Sequence, residues 1–209
     1  MPVKVWAPVL GAALLISLWN GPLPGMTGSS FAAHMTLHLL VVAVAAPLLA
    51  LGLVEWRGRQ SRALRMLDPL RASLLELVVV WLWHMPALHH AAKTRLLPFM
   101  VEQGSFLGAG LLFWLAVVGA VHHDHGRHAG TAVIALMLTL AHMTLLGALL
   151  SLSPRPLFVH GGDPLGALAD QQRGGAIMLV VSAIVYAAAG LVVGHRLLHR
   201  VAQPRPGTA

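Results

Sequence analysis

Six apolar stretches, near residues 3–19, 31–52, 74–92, 98–121, 130–152 and 173–195, account for most of the 209-residue chain. Each comes close to the roughly 20 residues that an α-helix needs to cross a bilayer. In lipid every backbone N–H and C=O must be satisfied internally, which leaves helices or a closed barrel. The pattern predicts an all-α, polytopic membrane helix bundle with about six transmembrane helices, forming one domain over 1–202 before a flexible tail at 203–209. Composition agrees: hydrophobic residues make up 57% and charged residues 10%, against roughly 25% charged in a soluble domain. A soluble enzyme, a disordered tail and a disulfide-stapled secreted domain are excluded. No cysteine is present, so thiolate ligands and nucleophiles are excluded too. The first stretch has Lys4 ahead of it, as a signal peptide would. It runs into Asn20-Gly21-Pro22-Leu23-Pro24 without a small-x-small cleavage site, so it reads as a retained span.

The net charge of +7 belongs to topology rather than to nucleic acid, because the basic residues fall between the apolar stretches with no aromatic interleaving. Lys4, Arg57, Arg59, Arg62, Arg65, Arg71, Arg127, Arg196, Arg200 and Arg205 fall on one side; Lys93, Arg95, Arg155 and Arg173 fall on the other. Positive flanks stay inside, so both termini are expected in the cytoplasm. The chain would be a multi-pass protein of a bacterial inner (plasma) membrane. Gly104-xxx-Gly108 and Gly190-xxx-Gly194 read as faces for close helix packing. Pro47 and Pro86 lie inside spans, where neighbouring helices can satisfy the carbonyls they free.

Ionisable groups inside spans are costly and mark function. On this topology they gather at the outer ends. His34 and His38, four apart, share one helix face with Met35 beside them. His84 sits in the outer half of the third span, with His89 and His90 nearer the surface. Glu102 and Gln103 open the fourth span, His142 and Met143 lie mid-way along the fifth, and Asp170, Gln171 and Gln172 precede the sixth, where Asp170 could cap the helix. The inner halves hold almost nothing ionisable apart from Glu76.

Taken alone, an intramembrane histidine is more often an interhelical hydrogen-bonding residue than a ligand. Two imidazoles on one face joined by groups from other spans bring a metal chelate level with that reading. The candidate metal residues are His34, His38 and His84, with Met35 or His142 completing a soft site and Asp170 orienting a ligand or adding one. Nine Met and thirteen His favour copper as Cu(I), with zinc as the alternative. His34-Met35-Thr36-Leu37-His38 has the histidine pair of a zinc-protease helix but Met where that chemistry needs Glu, so no catalytic residues are assigned. A haem held between His38 and His84, or a zinc hydrolase using Asp170 as base, are the other classes. The His122–His128 run, with four histidines in seven residues, reads as an exposed, weak metal binder at most.

The order of these motifs resembles one family, the membrane-embedded CtaG proteins required for assembly of caa3-type cytochrome c oxidase. The similarity runs from about 31 to 180. It rests on Phe31 to Leu40 with Ala46-Pro47-Leu48-Leu49-Ala50-Leu51-Gly52, and on Trp83-His84-Met85-Pro86. Glu102 to Trp114, Leu145-Leu146-Gly147, Pro156-Leu157-Phe158 and Asp170-Gln171-Gln172 through Met178 continue it. Gln103 stands where members often carry His, which weakens a ligand role for that part of the fourth span, and Leu179 stands where they often carry Trp. The resemblance implies a role in maturing the oxidase, connected with its copper centres, with oxidase subunits and copper-donor proteins as partners and the bilayer as solvent. The oligomeric state stays open, a homo-oligomer included.

Overall fold

The computed structural model describes residues 3–56, 67–123, 127–158 and 163–202. Arg57, Arg59, Arg62 and Arg65, the side chains of the His122–His128 run and the tail 203–209 lie outside what is described. The described residues are helical throughout, apart from turns. In chain order they are α1 (Val3–Asn20), the short α2 (Leu23–Thr27), α3 (Phe31–Trp56), α4 (Pro69–Trp83), α5 (Pro86–Thr94), α6 (Leu96–His123), α7 (Arg127–Ser151) and α8 (Pro164–Ala202). Four of these, α3, α6, α7 and α8, are long and apolar enough to cross a membrane, and the chain is a multi-pass membrane protein.

The third expected span, 74–92, is not one straight helix. It breaks into α4 and α5, which meet at 73° and together make a fifth crossing if they are one span. The cause is Pro86, whose ring pushes the preceding residue out of helical geometry. Met85 accordingly adopts φ −68°, ψ 133°, and Pro86 opens the next helix at its first position. The expected first span is the shorter apolar helix Val5–Asn20 of α1. The sixth is longer than its apolar stretch: α8 starts at Pro164, so Asp170, Gln171 and Gln172 lie within the helix rather than before it. Asp163 takes the capping role, accepting from the backbone N–H of Leu165 and Gly166.

Helix α3 runs through the centre, packed against α1, α2, α6 and α8. Midway, Leu40–Ala45 forms a wider π turn in which the Ala46 N–H reaches back five residues to the Val41 carbonyl. In that register the next donor would be residue 47, a proline with no N–H. The Val42 carbonyl it leaves is taken instead by Trp114 Nε1 of α6, at 2.9 Å.

Close packing uses other glycines than the two spaced pairs suggest. A Cβ at Gly104, Gly108 or Gly194 would meet nothing within 4 Å, and at Gly190 only the flexible end of Met137. At Gly147 and Gly175, by contrast, it would strike the backbone of the facing helix: 2.7 Å from the Leu179 nitrogen and 2.5 Å from the Ser151 nitrogen. These two residues let α7 and α8 touch backbone to backbone. At the other side Gly52 of α3 makes room for Pro8 of α1.

Candidate metal centre

The N-terminal end of α3 is fixed first. Ser30 caps it by accepting from the Ala33 N–H at 3.1 Å, and Asp170 of α8 reaches across to the same end. Its two carboxylate oxygens accept from the Ser30 hydroxyl (2.9 Å) and the Phe31 N–H (2.5 Å). A carboxylate at a helix N-terminus suits both the orphan donors and the dipole. Asp170 thus caps a neighbouring helix rather than its own. Gln171, fully buried, accepts from the Leu157 and Phe158 N–H groups and donates to the Leu150 carbonyl. Gln172 donates to the Ser153 carbonyl. These three adjacent residues tie α8 to α3, to the end of α7 and to the loop that follows it. That loop lays Phe158 flat on Phe31, with ring centroids 4.4 Å apart.

Beneath this roof His34 of α3, His89 of α5 and Glu102 of α6 converge. One ligating atom from each lies within 4.8 Å of the other two, and all three residues are buried. His34 Nδ1 is 3.8 Å from Glu102 Oε2, while Glu102 Oε1 is buried with no hydrogen-bond partner. A small cleft lined by Thr27, His34, His89, Lys93, Phe99 and Glu102 adjoins them. His89 arrives because the 73° turn at Pro86 swings α5 back over the bundle. Its ring stands 4.7 Å from that of His34 and 4.6 Å from Phe158.

Next inward lie His38 and His84, their rings 5.6 Å apart, with His34 and His84 5.8 Å apart and Phe106 against His38 at 4.1 Å. His84 is folded back along its own helix, Nδ1 lying 2.6 Å from the Val80 carbonyl. A carbonyl only accepts, so Nδ1 carries the proton and Nε2 presents its lone pair to the interior. That nitrogen, both ring nitrogens of His38 and both of His142 are buried without a hydrogen-bond partner. His142, on α7, is within electrostatic range of His38.

The structure therefore brings His34, His38 and His84 together, with His142 on the neighbouring α7, and adds His89 and Glu102. Met35 packs towards α8, where a Cβ at Gly174 would lie 3.1 Å from its Cγ, and Asp170 is occupied at the α3 terminus. A continuous third span would carry His89 away to the surface, so spacing alone does not place it here. The Met85-Pro86 step was the available signal for the turn. Gln103, beside Glu102, does not displace it from the site but donates to Glu102 Oε2 at 3.4 Å.

One more polar group is buried further in. Glu76 accepts from Thr139 and from Tyr186, each at 3.4 Å, and Ser73 bonds Thr139 at 2.8 Å. The Tyr186 ring stacks on Trp114 at 5.6 Å, so this carboxyl is integrated into the helix packing.

Comparison with curated proteins and with solved structures gives no match. The family described as cytochrome c oxidase caa3 assembly factor (Caa3_CtaG) matches residues 2–200, nearly the whole chain. The match spans the helices that carry the buried histidines, the Asp170 clamp and the Pro86 turn, and on that extent the chain belongs to the caa3-type cytochrome c oxidase assembly factor family.

Proposed function

We propose that this assembly factor receives copper at the outer face of the membrane, holds it among its buried imidazoles and hands it to the oxidase during assembly. The observation that carries this reading is the meeting of His34, His89 and Glu102 from three different helices, with ligating atoms within 4.8 Å, in a protein of an oxidase-assembly family. Metal ligation would satisfy a buried carboxylate oxygen that is otherwise orphaned. Three protein donors leave a coordination position open, which suits exchange with a donor or acceptor protein. Asp170 orients the His34 turn by holding the helix terminus from which it projects. His38, His84 and His142 extend the copper-binding face inward, and Met35 supports it from behind. With both termini cytoplasmic, the cleft beside His34 and His89 faces the periplasm or cell exterior, where oxidase subunits and copper-donor proteins would meet it.

Two histidines and one glutamate are also a zinc donor set, and zinc is the second reading on that ground. Copper and zinc analysis of the purified protein, wild type and with His34→Ala or Glu102→Gln, separates them. Copper retained by wild type and lost from His34→Ala supports the proposal; equal copper in both rejects it. Zinc in place of copper favours the second reading.

A further inference from the structure

A second buried polar cluster lies along α4, apart from the residues that converge on His34, and copper handling makes no use of it. Ser73 and Glu76 of α4, Thr139 of α7 and Tyr186 of α8 are all fully buried. Tyr186 donates to Glu76 Oε1 at 3.4 Å, and its ring is held by the stack on Trp114. Thr139 Oγ1 lies 3.4 Å from Glu76 Oε2 and 2.8 Å from Ser73 Oγ, and Ser73 reaches the Ala135 carbonyl at 3.3 Å.

No cation neutralises this carboxyl, which makes no ion pair among the described residues. On its own helix Arg71 is exposed and His84 is bonded to the Val80 carbonyl. On α7, His142 makes no hydrogen bond to it. Helices α5 and α6 hold His89, Lys93 and Glu102 at the metal cleft, and His90 of α5 is exposed. On α8 the nearest charged or titratable residues besides Tyr186 are Arg173 and His195, thirteen and nine positions away from it. A bare carboxylate so placed is costly in a membrane interior, and a bound proton removes the charge.

We propose that Glu76 is a proton-binding site, loaded and unloaded through the hydroxyls of Thr139 and Ser73. Each hydroxyl has one proton to give and lone pairs to accept another. With the proton on Oε2, Glu76 donates to Thr139, Thr139 to Ser73, and Ser73 to the Ala135 carbonyl. A carbonyl only accepts, so the row of donors ends there with every member satisfied. Release uses the same three oxygens. Ser73 gives its proton to a water molecule, Thr139 gives its own to Ser73, and Glu76 gives its own to Thr139. One proton leaves, and each hydroxyl loses one and gains one. The row then points the other way, Ser73 donating to Thr139 and Thr139 to the carboxylate. Both states occupy the same heavy-atom positions. Ser73 is the exit because it stands in the second turn of α4, whose capping residue Asp68 is only partly buried. His84 closes the other end of that helix, so proton and metal are handled at opposite ends of α4. The site is independent of which metal His34, His89 and Glu102 hold.

The test is infrared spectroscopy of the full chain in nanodiscs, across pH and on transfer to D2O. At neutral pH wild type should show the carbonyl stretch of a protonated carboxyl that Glu76→Gln removes and Glu102→Gln keeps. Raising the pH should convert that band to carboxylate, and D2O should shift it. Thr139→Val should keep the band and slow the D2O shift, and Thr139→Ser should restore the rate. The pH and D2O measurements on wild type need no variant to fold. Absence of any band that Glu76→Gln removes overturns the proposal, as does a band that neither titrates nor shifts in D2O while the protein stays folded. Equal exchange rates in wild type and Thr139→Val overturn the hydroxyl route.

Discussion

At the scale of single residues, the site depends on side chains whose job is to hold others still. Asp170 satisfies two donors at the end of α3 from a helix 140 positions along the chain. Asp170→Ala should destabilise the protein by roughly 1–2 kcal/mol, as loss of a capping group does, and weaken metal binding. Thermal unfolding in detergent and metal titration check the two effects, and Asp170→Asn should recover part of both. Deeper in, Tyr186→Phe removes one of the two donors to Glu76. Leaving a buried acceptor short costs about 1–3 kcal/mol, and the thermal midpoint should fall with no change in metal content. The proximity of His34, His38 and His84 is legible in the sequence because helical spacing follows from residue number. That of Glu102 and His89 is not. Their meeting depends on a change in chain direction, which periodicity does not encode.

At the scale of elements, the decisive feature is the break between α4 and α5. Pro86→Ala restores a donor and relieves Met85, which favours a straighter helix and carries His89 away from His34. Metal affinity should drop by about 10–100-fold, the range seen when support of a ligand is lost, while the protein remains folded by circular dichroism. The α7–α8 crossing gives a second contrast. Alanine at Gly147 or Gly175 would drive a methyl into facing backbone, costing about 1–3 kcal/mol as overpacking does. Gly104→Ala, facing open space, should leave the midpoint unchanged. Spacing alone singled out the wrong glycines. A small-xxx-small pair states only that two helices could approach, and which face finds a partner is decided by the whole arrangement. The apolar stretches fared better, since length and hydropathy act locally and four of them are spanning-length helices.

At the scale of the molecule, polar chemistry is ordered by depth. A clamp of Asp170 and the two following glutamines closes the bundle at the N-terminal end of α3, imidazoles lie below it, and the Glu76–Tyr186 pair lies deeper along the helices. Metal loading should therefore stiffen several helices at once, because His34, His89 and Glu102 belong to α3, α5 and α6. With free copper at 100 times the dissociation constant, linkage adds about 2.7 kcal/mol of stability. The thermal midpoint should rise on copper addition, and the rise should vanish in His34→Ala. The π turn at Leu40–Ala45 bears on the same helix. One surplus residue there shifts the azimuth of everything beyond it by about 100° relative to a regular helix. The histidine-bearing half and the half that seats Pro8 against Gly52 are thus aimed independently. Deleting a single residue in that turn would make α3 more regular, yet it would force a choice between pointing the imidazoles inward and keeping the groove that receives the first helix.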